Sequence, residues 1–179
     1  MRKMLDWRVI KTEYLEKGRF EIVYETVQFT PDYIGPYSYV RYKADGVCVL
    51  PVLSDGNICL TNQYRRPVDS FEFEVPAGMI DSNETPLDAA KRELAEETGY
   101  STIRTVDCGF IYASPGSSTE KMYLFIAYCE KESKTAQNLD KSEKIDVATF
   151  SVQQIQRMIV EGRIHHSATQ VLFYRLLGM

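Results

Sequence analysis

The sequence is short of most features that would assign a chain at a glance. No apolar run approaches the ~18 residues that a membrane-spanning helix needs, so no membrane partner is expected. Basic residues are not in excess: 21 Lys and Arg stand against 25 Asp and Glu, for a net charge of −4. A nucleic-acid partner would call for a basic face, so none is expected either. The four cysteines, Cys48, Cys59, Cys108 and Cys129, lie far apart in apolar, strand-like segments. They lack zinc spacing and read as reduced core residues. The two histidines, His165 and His166, are adjacent. Adjacent side chains on a helix or strand point different ways, so they read as surface or helix-entry residues rather than a paired metal site. Repeats and low-complexity tracts are missing. From Met1 to Trp7 there are basic residues but no apolar stretch behind them, which argues against a secretory leader, and the cytoplasm is the expected location.

What remains is a chain of 179 residues, 44% hydrophobic and 26% charged. That suits one domain, or one domain with a small appendage, able to bury roughly 70% of its unfolded surface. Alternation from Trp7 to about Tyr42 predicts short antiparallel strands with a turn at Lys17-Gly18, broken between Thr30 and Pro36. Ala44 to Leu53 reads as a buried strand, Ser54 to Asn57 as a hairpin turn, and Ile58 to Tyr64 as the return strand. Phe71 to Val75 alternates and runs into a turn at Pro76-Ala77-Gly78. A helix follows, with Thr85 as N-cap, Pro86 in its first turn and Gly99 as a left-handed C-cap. Its apolar face is expected from Leu87, Ala90 and Leu94, with Arg92 and the glutamates directed away from it. Strands over Thr105–Tyr112, 121–131 and Ile145–Phe150 come next. Ser151 caps a second helix reaching Glu161, and a third runs from Ser167 to Leu177. Strands, helix, strands, helices is the order of an α+β fold.

The most informative stretch is Gly78 to Tyr100, G-M-I-D-S-N-E-T-P-L-D-A-A-K-R-E-L-A-E-E-T-G-Y. A glutamate-rich helix is ordinarily a solvated face. Here Glu93, Glu96 and Glu97 are spaced i, i+3, i+4, so they converge on one patch and repel one another. Such a patch calls for a cation, and carboxylate oxygens suit a hard one, Mg²⁺ or Mn²⁺. A few waters and one or two carboxylates leave such an ion free to hold substrate phosphates. Arg92 is expected to brace a carboxylate from behind, with contact to phosphate as its other reading.

Position for position, the stretch resembles the signature of the Nudix hydrolases: Gly, five residues, Glu, seven residues, Arg-Glu-aliphatic-x-Glu-Glu-x-Gly and a last aliphatic residue. Gly78, Glu84, Arg92, Glu93, Leu94, Glu96, Glu97 and Gly99 fall in place. Tyr100 departs at the last slot, where apolar packing is expected. The resemblance implies an α/β/α sandwich with a mixed sheet, over residues 44–179, preceded by a small antiparallel strand domain over 1–43. It implies hydrolysis of the pyrophosphate of a nucleoside diphosphate linked to another group. Glu93, Glu96, Glu97 and the carbonyl of Ala77 would hold two or more metal ions.

Flanking segments resemble the ADP-ribose pyrophosphatase branch: Gln63-Tyr64-Arg65-Arg66-Pro67, Glu74-Val-Pro-Ala-Gly and Ser114-Pro115-Gly116. That branch implies Mg²⁺-dependent cleavage of ADP-ribose to AMP and ribose 5-phosphate. Arg65 would fork onto phosphate, Pro115 and Gly116 would shape a loop over the sugar, and Glu120 would accept its hydroxyls. It also implies a homodimer through residues 1–43, which would contribute to the substrate pocket. The branch commonly carries two glutamates in a late loop. Here the loop reads Asp140-Lys141-Ser142-Glu143, so only Glu143 matches, as catalytic base beside Glu93 and Glu97. Two rivals stay open: another nucleotide sugar such as GDP-mannose or UDP-glucose, and a sensor that binds a nucleotide sugar without cleaving it. The full set of signature glutamates argues against the sensor.

Overall fold

The computed structural model describes residues 7–141 and 143–179. The start of the chain, Met1–Asp6, where no secretory leader is expected, and Ser142 of the late loop lie outside the described residues. The chain divides into two compact units, one of Met1–Ala44 with Tyr112–Glu120, the other of Asp45–Ile111 with Lys121–Met179.

The first unit is an antiparallel meander, β1 (Arg8–Lys17), β2 (Phe20–Thr30) and β3 (Tyr33–Tyr42), in that spatial order. Gly18, at φ +67°, makes the first turn. The break expected over Thr30 to Pro36 is only a tight turn, because β3 is already extended at Tyr33 and carries Pro36 opposite Thr26. The register explains how proline is tolerated. Val40 turns its N–H and C=O away from β2, onto Ser117 O and Thr119 N, both 2.9 Å away. Alternation sends the nitrogen of Pro36, four residues earlier, to that same outer edge, where no ladder bond is lost. The Ser114–Thr119 loop thus folds with this sheet, and Tyr42 N donates to Thr119 Oγ1 at 2.9 Å.

The second unit is built on a seven-stranded mixed sheet. Its elements are β4 (Gly46–Leu53), β5 (Ile58–Arg65), β6 (Ser70–Glu74), β7 (Ala77–Met79), β8 (Thr102–Tyr112), β9 (Lys121–Cys129) and β10 (Ile145–Phe150), with helices α1 (Pro86–Thr98), α2 (Val152–Val160) and α3 (Ser167–Leu177). The main order is β10-β5-β4-β9-β8; β6 lies on β5 and β7 on β4. β4 and β9 are parallel, whereas β4 pairs antiparallel with β5 and β7. A strand covered on both faces reads as a continuous apolar run, which is what Val47-Cys-Val-Leu is. Cys48 and Leu50 point into a core with α2 and α3 that includes Leu60, Leu124, Ile155, Leu172 and Phe173. Val47 and Val49 point to the opposite core with Ala89, Ala90, Leu94 and Phe125. The result is a helix–sheet–helix sandwich. Tyr100 is buried in the second core, so it does fill an apolar slot.

No helix among the described residues is long and apolar enough to cross a membrane. Of the four free cysteines, Cys48, Cys59 and Cys129 are buried and Cys108 is half-buried. His166 is the N-cap residue of α3, and His165 sits beside it against Glu72, with 2.8 Å between Nδ1 and Oε2.

The link from β6 to β7 is pinned by α3. Fully buried Thr169 accepts the Val75 N–H at 2.9 Å and lies 2.9 Å from His166 Nδ1. Thr169→Val keeps the shape but leaves the Val75 N–H without a partner, at a cost of about 1–3 kcal/mol. Urea denaturation should read this loss; a change under about 0.5 kcal/mol, within the range of an ordinary surface substitution, would show that the link is held by other contacts.

Candidate active site

The signature helix α1 is set by local chemistry. Thr85 accepts the Asp88 N–H at 3.2 Å, Pro86 occupies the first turn, and Gly99, at φ +76°, closes the C-terminus with its N–H on Ala95 O. The buried face departs from expectation. Leu87 is exposed, whereas Ala89, Ala90, Glu93, Leu94, Glu97 and Thr98 are buried. Two of the glutamates therefore lie inward: the strand in front of the helix offers Glu97 a backbone N–H, and Arg92 holds Glu93.

That strand is β7, where a turn was expected. Val49 N bonds Pro76 O and Ile80 N bonds Asp45 O, each at 3.0 Å, so Pro76 and Ile80 face β4. By alternation Ala77 and Met79 turn their N–H and C=O groups to the free edge, toward α1. The Ala77 N–H donates to Glu97 Oε2 at 3.2 Å, and the Met79 carbonyl accepts from Arg92 Nη2 at 2.9 Å. Between them, Gly78 has no side chain for a reason: a Cβ there would stand 1.8 Å from Glu93 Oε1.

Arg92 is the hub. Its Nε and Nη2 fork onto Glu84 at 3.0 and 2.9 Å, and Nη1 reaches Glu93 at 2.7 Å and Glu96 at 3.1 Å. With the Met79 carbonyl, all five guanidinium N–H groups have an acceptor. None is left for a phosphate, and the guanidinium holds the Glu84 carboxyl below its usual range.

The electrostatics run the other way at Glu97. Burial first, then the negative charges of Glu93 and Glu143, push its carboxyl up to about 8, against the pull of the Ala77 N–H and Arg65. Glu93 is also raised, by burial first, with Arg92 opposing and Glu96 and Glu143 adding to it. Glu143 itself sits in a turn, its carboxylate accepting the Asp140 N–H at 3.0 Å. Arg65, expected to fork onto phosphate, places its fork on Glu74 instead, with Nε at 3.0 Å from Oε1 and Nη2 at 2.5 Å from Oε2. Glu74 is a buried carboxylate that demands such a partner.

The NUDIX domain family matches residues 42–170, nearly three-quarters of the chain. The chain belongs to the Nudix family. It is 29% identical to a methanol dehydrogenase activator of Bacillus methanolicus, over 96% of this chain and 92% of that one. To an ADP-ribose pyrophosphatase of Bacillus subtilis it is 26% identical, over 93% and 90%. To a GDP-mannose pyrophosphatase of Yersinia enterocolitica it is 28% identical, over 91% of each. A crystal structure of an ADP compounds hydrolase superposes with a TM-score of 0.86 at 16% identity, covering 99% of this chain and 96% of that one, which establishes the fold. This protein is a Nudix hydrolase, and such enzymes generally use divalent metals such as Mg²⁺.

The residues present fit that requirement. The patch offers hard oxygen donors only, and negative charge is in excess: Arg92 is the cation on Glu84, Glu93 and Glu96, while Arg65 is committed to Glu74. Among the described residues no three acidic, histidine or cysteine side chains already stand in a cation-binding arrangement. Glu93 and Glu96 are turned onto Arg92, and Glu97 onto Ala77.

Of the residues singled out in the sequence of this Nudix hydrolase, Ala77, Glu93, Glu96, Glu97, Glu143 and Arg65 all belong to the second unit. Pro115, Gly116 and Glu120 belong to the first, where Pro115 and Gly116 are exposed and the Gly116 carbonyl lies 3.4 Å from Tyr37 Oη. Sequence reasoning missed Glu74 as the partner of Arg65, although Glu74 and Ala77 stand in one segment of the resemblance; a glutamate alternating with Phe71 and Phe73 reads as the wet face of a strand. The Met79 carbonyl was also missed, since backbone acceptors leave no mark on a sequence.

The raised Glu97 carboxyl has a consequence for stability. Its folded value, about 8, lies above the ordinary carboxylate range that the unfolded chain shows. The folded state thus holds the extra proton between them, and stability falls as pH rises through that window. Metal-free protein should lose stability from about pH 5 to pH 8, with a slope of at most about 1.4 kcal/mol per unit for one proton. Glu97→Gln should flatten the curve; an unchanged curve in that variant would place the titrating group elsewhere.

Proposed function

We propose that this Nudix hydrolase cleaves the pyrophosphate of a nucleoside diphosphate sugar with Mg²⁺ or Mn²⁺, ADP-ribose being the favoured substrate and AMP and ribose 5-phosphate the products. The observation that carries this reading is the burial of Glu93 and Glu97 in a patch with more negative than positive charge, on a helix that keeps every signature carboxylate. A patch of that kind is unstable alone and completed by a cation with phosphate. The likeness to a relative named for ADP-ribose over nearly the whole chain supports the substrate, and the Glu74-Val-Pro-Ala-Gly segment supports it independently.

In this reading Glu93, Glu96, Glu97 and the Ala77 carbonyl hold the metal, which would screen the diphosphate charge and act as a Lewis acid. Glu143 takes a proton from the attacking water. The water oxygen forms a bond to one phosphorus in line, the bridging P–O bond breaks, and the electron pair leaves with the second phosphate. Glu97 shares the acidic environment and is held in place by the Ala77 N–H. Arg92 does not touch the substrate; it holds Glu93 and Glu96 at fixed orientation. Arg65 contributes positive charge near Glu97, with Nη1 outside its bonds to Glu74. To Pro115, Gly116 and Glu120 the same reading assigns recognition of the sugar. We assign hydrolysis to residues 44–179, and to residues 1–43 the formation of a homodimer and a share in substrate binding. Exposed Tyr14, Leu15, Tyr24 and Ile34 on the meander support self-association.

Turnover of ADP-ribose, GDP-mannose, UDP-glucose and dinucleotides with Mg²⁺, read as phosphate released by added phosphatase, tests the reading. ADP-ribose should give the highest kcat/KM. A preference for GDP-mannose would move the protein to its other group of relatives, and no turnover of any diphosphate would favour a sensor. Glu97→Gln should lower kcat by about 100-fold or more without unfolding the protein; activity surviving within about tenfold would overturn the metal assignment. Light scattering after size exclusion should give the mass of a dimer, and a monomer would remove that role from residues 1–43.

A further inference from the structure

The last carbonyls of a helix have no partner within it and ordinarily meet water or a cap. At the end of α1 one segment takes two of them and the carbonyl of the cap residue Gly99. The Asn138 N–H donates to Glu96 O at 2.9 Å, Gln137 Nε2 to Glu97 O at 2.5 Å, and Thr135 donates to Gly99 O through both its N–H, at 2.8 Å, and its hydroxyl, at 3.1 Å. This strap passes so close that a Cβ on Gly99 would stand 2.2 Å from the Thr135 carbonyl oxygen. A left-handed cap alone would accept asparagine. The strap would not, so the glycine ending the signature has a second reason to be glycine.

Gln137 does more than cap. An amide side chain has two N–H donors, and the second partner of Nε2 is the Ile145 carbonyl at 3.2 Å. One side chain therefore ties the end of α1 to the start of β10. Glu143 lies between these ties, two residues before Ile145. It is closed from behind by the turn in which its N–H bonds Asp140 O at 2.9 Å and its carboxylate accepts the Asp140 N–H. The charge of Glu143 adds to the burial that raises Glu93 and Glu97.

We propose that Gln137 is a positioning residue: through the carbonyls of Glu97 and Ile145 it sets the Glu143 loop against the signature helix. The proposal rests on the reading of Glu143 as the base. No motif contains Gln137, and its two acceptors lie far apart in sequence, so only the folded chain reveals the role.

Gln137→Met keeps length and removes both donors. Its kcat should fall about tenfold with KM changed less than about twofold, as expected when a base is displaced while the substrate is still bound as before. Adding Gln137→Met to Glu143→Ala should bring no further loss, because the two substitutions act through one group. In metal-free protein, hydrogen exchange at the Asn138 and Glu143 amides should quicken in Gln137→Met. A loss that multiplies in the Glu143→Ala background, or unchanged exchange at Glu143, would overturn the proposal. If Glu143→Ala alone turned over at the wild-type rate, the base assignment would be the one to fall, and the exchange measurement would decide by itself whether Gln137 holds the loop.

Discussion

Everything at the carboxylate patch depends on the five-donor engagement of Arg92. It fastens the middle of α1 to the edge of β7 through the Met79 carbonyl, to the preceding loop through Glu84, and to its own helix through Glu93 and Glu96. A guanidinium suits this work because its donors are fixed in one plane and it stays charged. Removing it would leave several half-buried or buried carboxylates facing one another, the costly case for ion pairs in a protein interior. Gly78 is the steric counterpart. The strand can approach the helix only because nothing projects from it where the Glu93 carboxylate lies.

Around that hub the protein carries an electrostatic imbalance. Glu97 is nearly excluded from water, has one backbone donor, and feels two other carboxylates. A core shaped only for stability would hold an apolar side chain there. The imbalance is what the proposed reading of the patch as a cation site would account for, with Glu93 and Glu97 on the inner rather than the outer side of the helix. The two cores flanking the sheet, one under α1 and one under α2 and α3, supply the rigidity that keeps such a helix folded.

Legibility in the sequence followed the range of the forces. α1 is readable from Thr85 to Gly99 because its caps are local hydrogen bonds between near neighbours. The strand β4 is readable because burial on both faces leaves an unbroken apolar run. β7 is not: three residues have no periodicity, and only pairing with β4 makes them a strand. Pro36 reads as a break because composition cannot tell which edge of a strand a nitrogen faces. Arg65 reads as free because its partner Glu74 stands across the β5–β6 hairpin, and the register of that hairpin is fixed only by folding.

By itself the sequence determined the family, since the signature positions from Gly78 to Gly99 are a local pattern that no packing alters. It also determined the order of the three helices and the place of the core strands β4 and β5. Only the tertiary structure decided which of the signature glutamates are buried, that Arg65 is committed to Glu74, and that one glutamine joins the signature helix to the loop of Glu143. Those outcomes turn on backbone carbonyls, strand edges and a missing Cβ. Such groups are common to every residue type, so the sequence has no letter for them until the chain is folded.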